Sequence, residues 1–221
     1  MDRKVRCRQV RPGGKASTAG SFVFPVPGRL TLGLYNTYDA KQWHDVLRVM
    51  LARAAPVAVA FDCDLVTFGF PYAQARKPGA RLADLGLTTP AAVAKFVSAS
   101  TSIGEGAEHL EALAAEGRFR LLNFDDAEIR PPFLGRLVAT TPHPNPTKAM
   151  TPLRIAQARV AGGDQTLLFG LGPRGLSPDL LGRAEHHLEL TGKSISLDTA
   201  TALGALPAMI AAHMHHLGGG G

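Results

Sequence analysis

From Arg29 onward, short apolar runs alternate with longer segments whose apolar positions recur every three or four residues. The short runs suit buried strands and the longer segments suit amphipathic helices. Residues 30–35 form the first predicted strand, bounded by Asn36. A helix follows, with Trp43, Val46, Leu47, Met50, Leu51 and Ala54 at helical spacing, and Pro56 is expected to stop it. Residues 57–61, continued around 65–68, read as the next strand or strand pair. Thr88-Thr89-Pro90 is a helix start, a hydroxyl cap followed by proline in the first turn, with Val93, Phe96 and Val97 facing inward. A segment over 105–116 turns Leu110 and Leu113 inward and ends at Gly117. Residues 119–122 and 136–140 read as strands, and 151–160 as a helix ended by Gly162-Gly163. A short strand over 166–169, a brief helix opened by Ser177-Pro178, a strand over 187–190 and a helix from Leu197 or Asp198 to about His213 complete the pattern. The alternation predicts an α/β fold, a mostly parallel sheet flanked by helices, with ligands at the C-terminal strand ends.

Composition changes this picture little. The 221 residues are 45% hydrophobic and 19% charged, enough for one large globular domain. The apolar stretch 54–61 falls far short of the ~18 apolar residues of a membrane span. The basic N-terminus lacks the apolar core of a secretory signal, so a cytoplasmic protein is expected. Cys7 and Cys63 form no CxxC pair and no zinc pattern. They are expected to be a free tail thiol and a buried strand residue.

Charge is uneven. Residues 1–15 hold six bases (Arg3, Lys4, Arg6, Arg8, Arg11 and Lys15) against Asp2, and so carry +5 of the net +6. This predicts a basic, disordered arm over 1–28, a single domain over 29–216 and a flexible tail over 217–221. Such an arm suits contact with phosphates, or simply solvent.

The chemistry concentrates late in the chain. The stretch from Leu167 to Ser177 runs from a strand through Gly170, Gly172 and Gly175 into a capped helix. Glycines there let backbone pass close to a ligand, although a plain tight turn has the same composition. It is neither a GxGxxG fingerprint nor a P-loop. Further on, Leu188 to Ala205 leads from a strand through Ser196-Leu197-Asp198 into a helix of small residues. The histidines 186, 187, 213, 215 and 216 lack a Cys or carboxylate at ligand spacing, and no metal site is expected.

Taken together, these two stretches resemble the second and third motifs of the SPOUT (trefoil-knot) methyltransferases, and residues 137–142 resemble the first knot strand and loop. The resemblance covers residues 135–212, and the chain as a whole resembles an archaeal branch of that class. It implies a knot over that segment, S-adenosylmethionine as cofactor, RNA (tRNA or rRNA) as partner and a homodimer. It places Thr140, Thr141 and Pro142 beside the adenosine, and Gly170, Leu171, Gly172 and Gly175 around the ribose and methionine. Leu188, Leu190, Ser196, Leu197 and Thr201 would enclose the adenine.

Ribose 2′-O enzymes of this class commonly carry Gly-Glu in the second motif and Ser-Leu-Asn in the third. Here the glutamate is absent and Asp198 stands at the asparagine position, as a helix cap or a general base. For the catalytic arginine the candidates are Arg48 and Arg53, with Asn36 and Asp39 nearby. Residues 51–54, Leu-Ala-Arg-Ala, resemble the matching segment of an archaeal tRNA ribose methyltransferase and favour Arg53. The proline-rich stretch 141–148 is read as a substrate-facing lip carrying His143, Asn145 and Lys148, or as a stiff connecting loop. The expected function is methyl transfer to a ribose 2′-oxygen or a base nitrogen of RNA. The alternatives are an inactive knotted RNA-binding protein and a protein methyltransferase on the same fold.

Overall fold

The computed structural model describes residues 26–39, 41–72, 87–100, 105–123 and 132–218. The basic arm up to residue 25, with Cys7, lies outside them.

Seven parallel strands form one sheet: β1 (Leu30–Tyr35), β2 (Cys63–Phe68), β3 (Phe119–Leu122), β4 (Arg136–Thr140), β5 (Ala149–Met150), β6 (Gln165–Gly170) and β7 (His186–Leu188). Their order is β3-β2-β1-β6-β4-β7-β5. Leu30 pairs with Cys63 on one side and Gln165 on the other. The two-residue β5 has no apolar run of its own and was not predicted. The helices are α1 (Asp45–Ala60), α2 (Pro90–Ser100), α3 (Gly106–Ala115), α4 (Pro152–Val160), α5 (Pro178–Arg183) and α6 (Thr199–Gly218).

Side-chain alternation divides the core between the two faces of the sheet. Leu30, Leu32, Leu34, Leu167 and Phe169 pack with buried residues of α1, α2, α3, α4 and α6. On the other face Phe68, Leu137 and Leu168 pack against Leu176, Leu180 and Ala184 around α5. Gly33 lies on this second face, where a Cβ would come within 2.9 Å of both Leu168 and Phe68 side chains. The large rings opposite leave no room for a methyl group.

The caps read from the sequence are present. The Thr89 hydroxyl accepts from Ala92 N–H at 3.2 Å and Ser177 from Leu180; Thr151, read as the first helical residue, instead caps α4 by accepting from Arg154. One boundary differs: Pro56 lies inside α1, and residues 57–60 continue that helix instead of starting a strand. Proline removes the bond that its N–H would make to Ala52 O, four residues back. That carbonyl is covered by Gly106 at the start of α3, where a Cβ would lie 2.2 Å from the Ala52 oxygen. Tertiary packing thus keeps the helix whole past its proline.

The closing helix also extends beyond the predicted end at His213, to Gly218. Cys63 is fully buried on β2, and burial pushes its thiol up to about 12. At the N-terminal strand ends Arg118 pairs with Asp62, Asp64 and Glu116, and donates to Cys63 O at 2.9 Å.

Candidate active site

Three loops converge at the C-terminal ends of β4, β6 and β7. The first begins at Thr140, whose hydroxyl donates to Leu168 O at 2.7 Å. The second turns sharply at Gly170: a Cβ there would lie 2.6 Å from Gly175 C and 2.7 Å from Leu176 N. Leu171 N–H donates to Tyr35 O at 3.1 Å and Gly172 N–H to Thr37 Oγ1 at 2.6 Å, which ties the loop to the end of β1. Gly175 closes it at φ +63° with a bond from its N–H to Gly172 O. The third loop is organised by Glu189, whose carboxylate accepts from Thr191 N–H and Oγ1 and from Gly192 N–H. Thr199, at the start of α6, donates to Gly170 O at 2.9 Å and joins the third loop to the second.

Between the loops and α1 lies a cleft of about 600 Å³. Gly170, Leu171, Gly172 and Gly175 form one wall, and Ser196, Leu197 and Asp198 another. Val46, Met50 and Arg53 of α1 close the side. A smaller recess of about 70 Å³ shares Thr140, Pro142, Ser196, Leu197 and Ala202 with the cleft, and adds Thr141, Leu188 and Leu190. The sequence-predicted cofactor residues therefore line the cleft or its adjoining recess, with the exception of Thr201. Thr201 is exposed and its hydroxyl bonds to Asp198.

Residues 30–211 match the family described as "Protein of unknown function (DUF531)". An uncharacterised protein of Methanocaldococcus jannaschii is 35% identical over 185 residues, which cover 82% of this chain and 93% of that one. The chain belongs to the DUF531 family. Solved structures share its fold at low identity. A probable methylase family protein from Haemophilus influenzae aligns with a TM-score of 0.56 at 13% identity, over 87% of this chain and 69% of its own. A probable methyltransferase from Bordetella pertussis gives 0.54 at 14%, over 85% and 96%. A Bacillus anthracis protein named for RNA methyltransferase activity gives 0.51 at 12%, over 86% and 96%. The α/β fold of this DUF531 chain, a parallel sheet flanked by helices, is shared with these methyltransferase-named structures.

The remaining predicted residues separate into different settings. Arg53 is exposed and lines the cleft, close enough to Asp198 to favour that carboxylate's charged form. Arg48 is not among the cleft residues; it pairs with Asp45 at 3.7 Å and its Nε is buried without a partner. Asp198 caps α6, accepting from Ala200 and Thr201 N–H at 3.0 and 3.1 Å. Hydrogen bonds from Thr201 and Ala200, with the Arg53 charge, hold its carboxyl below the usual range. A carboxylate so stabilised is a weak base.

Asn36 is buried with both side-chain ends engaged: Nδ2 donates to Gly69 O, and Oδ1 accepts from Tyr38 N–H, each at 3.0 Å. Lys148 donates to Gly182 O at 2.6 Å and Ala184 O at 2.8 Å, capping the end of α5. Asn145 Oδ1 accepts from Thr147, and Asn145 N–H donates to His187 Nδ1 at 3.0 Å. His187 therefore carries its hydrogen on Nε2 and donates to Leu181 O at 2.8 Å. His143 is exposed and its N–H donates to Thr141 Oγ1. None of His143, Asn145 and Lys148 lines the cleft or its recess.

Thr37, Thr199 and Glu189 shape the site but were missed in the sequence. Each is a polar residue just beyond a strand or before a helix, and that position was the available signal. Burial raises the Glu189 carboxyl, but hydrogen bonds from Thr191, Gly192 and Ser194 outweigh it and hold the group below its ordinary value. A depressed folded-state value means that its stabilisation is complete above the ordinary glutamate range. It is lost as pH falls through the lowered value. Glu189→Gln should mimic that loss at neutral pH, with amides 191–194 exchanging at least ~5-fold faster by hydrogen–deuterium exchange. Unchanged exchange would refute the role. Among the described residues no group of three or more His, Cys, Asp or Glu could hold a metal, and no helix is long and apolar enough to cross a membrane.

Proposed function

We propose that the chain is an S-adenosylmethionine-dependent methyltransferase acting on RNA, a tRNA or rRNA, at a ribose 2′-oxygen or a base nitrogen. The observation that carries this reading is the convergence of the three motif loops on one cleft. Its volume of about 600 Å³ lies within the roughly 300–1,000 Å³ of small-molecule pockets. Its walls suit the cofactor: apolar Val46, Met50 and Leu197 beside exposed backbone of glycine loop 170–176. Gly175 has nothing within 4 Å of a built Cβ, so the loop is open there. The names borne by the structural neighbours support methyl transfer, and one of them supports RNA.

When bound, the cofactor supplies an electrophilic methyl group. The chain's residues have three tasks. The loops orient the two reactants, which replaces a bimolecular encounter by placement. Arg53 holds the neighbouring phosphate and lowers the pKa of the attacking hydroxyl. Asp198 fixes the start of α6. We further propose a knot over 135–212, a cytoplasmic location and a homodimer. Leu153 and Val160 on α4 and Met209 on α6 are exposed apolar residues that support a subunit contact through these helices.

The capping of α6 by Asp198 and the missing glutamate favour a second reading, a knotted RNA-binding protein without transfer activity. Calorimetry with S-adenosylmethionine decides between them, with Gly172→Trp as blocked control. Even the first carbon of that side chain would meet Thr37 Oγ1 at 2.7 Å. Saturable binding that the variant loses by at least ~30-fold supports the cofactor site. Methyl transfer from labelled cofactor to total RNA then tests the activity. Absence of binding by the native chain would leave the second reading.

A further inference from the structure

A second pocket, of about 330 Å³, opens beside the cleft. Tyr38, Gly175 and Leu176 line both spaces, so the two occupants would be neighbours. From the pocket's chemistry we infer that it receives the base of a nucleotide in single-stranded RNA, next to the methyl donor. This inference rests on the methyl-transfer reading for its purpose, and on the pocket alone for its ligand.

Two half-buried tyrosines, Tyr35 and Tyr38, line the pocket. Tyr35 is held by stacking on Phe68, with centroids 5.9 Å apart and planes at 29°. Tyr38 stacks on His44 at 4.7 Å and 30°. Its backbone is pinned from below by the buried Asn36, so Asn36 is a positioning residue. A ring fixed in advance loses little entropy on stacking with a second flat ring.

Arg174 also lines the pocket, exposed and in no ion pair among the described residues. A planar guanidinium there serves a phosphate or the face of a base. No Asp or Glu lines the pocket to repel a polyanion. Leu176 and Pro178 complete an apolar floor. The volume is near the low end of about 300–1,000 Å³, which suits one nucleoside better than a larger cofactor. A protein side chain is the rival occupant. Tyr38, beside an arginine with no ion pair among the described residues, favours the base.

The test uses the full chain and a single-stranded octauridylate carrying one 4-thiouridine. Ultraviolet cross-links should map to residues 35–38 or 174–178. Tyr38→Ala should weaken octamer binding about tenfold, the loss of one base stack, and Tyr38→Phe should stay within about twofold of the native chain. Arg174→Ala tests the surface without touching the core. It should weaken binding and reduce the slope of log affinity against log salt by about one. Cross-links elsewhere, native affinity in both alanine variants, or no saturable octamer binding would each overturn the inference. Transfer of label to protein, with no RNA cross-link, would assign the pocket to a side chain instead. Calorimetry of S-adenosylmethionine on the same samples keeps the two readings apart: cofactor binding without octamer binding sinks only this one.

Discussion

Gly170→Ala should cost at least ~30-fold in affinity for S-adenosylmethionine, more than any other single methyl group added to the cleft. The added carbon would meet backbone, Gly175 C at 2.6 Å and Leu176 N at 2.7 Å, and no rotamer change relieves such a clash. The loop 170–176 must open, at the roughly 1–3 kcal/mol typical of overpacking. Opening it also strains the bonds from Gly172 to Thr37 and from Thr199 to Gly170 O. Gly175→Ala is the matched control. It has free space around its Cβ but an unfavourable φ of +63°, a strain of about 1 kcal/mol, so a loss of only ~5-fold is expected. Calorimetry on both variants, with circular dichroism to confirm folding, measures the difference. Equal, small losses would mean that the loop adapts and that its tight closure does not define the cofactor site.

Arg53→Ala should lower the turnover of methyl transfer to total tRNA by about 100-fold, with the cofactor Kd within about threefold. The magnitude is that of removing one charged donor from a transition state, roughly 2.7 kcal/mol. Arg53→Lys keeps the charge but loses the planar fork, and should recover about a tenth of native turnover. The measurement is initial rate with labelled cofactor at saturating RNA, so that kcat separates from KM. Native turnover in Arg53→Ala would remove this arginine from the reaction. Arg48 could not replace it from its observed position, tied to Asp45 and outside the cleft.

Local signals in the chain were readable where one element decided its own ends. Leu30–Tyr35 and Arg136–Thr140 stand where the apolar runs placed them, and Thr89 and Ser177 cap as their hydroxyl-proline pairs implied. Decisions made between distant residues were not readable. Pro56 remains helical because Gly106, fifty residues later, covers the carbonyl that the proline leaves unpaired. Residues 57–60 have the β-branched, apolar character of a strand, yet extend α1 on the strength of that contact.

The candidate site divides in the same way. Glycine and Ser-Leu motifs identified the cleft walls, because a ligand-hugging loop requires particular residue types at particular spacings. Polar residues whose partners lie far away were harder to assign. Lys148 looked free for phosphate, but the carbonyls at the end of α5, more than thirty residues on, hold it. Asn36 looked available for chemistry, but Gly69 and Tyr38 use both its ends.

The sheet order has a consequence for how the chain is made. β1 sits between β2 and β6, and its pairing with β6 joins residues 135 apart, Leu30 with Gln165. At ribosomal speeds of about 5–20 residues per second, one edge of β1 waits on the order of ten seconds for its partner to be synthesised. During that interval Leu32 and Leu34 can be covered by α1, but the hydrogen-bonding edge stays open. β1, α1 and β2 can assemble early, whereas the cleft, which needs β4, β6 and β7 together, forms only once β7 has been made. Nascent chains of this protein therefore depend on protection of a bare strand edge before they can hold any ligand.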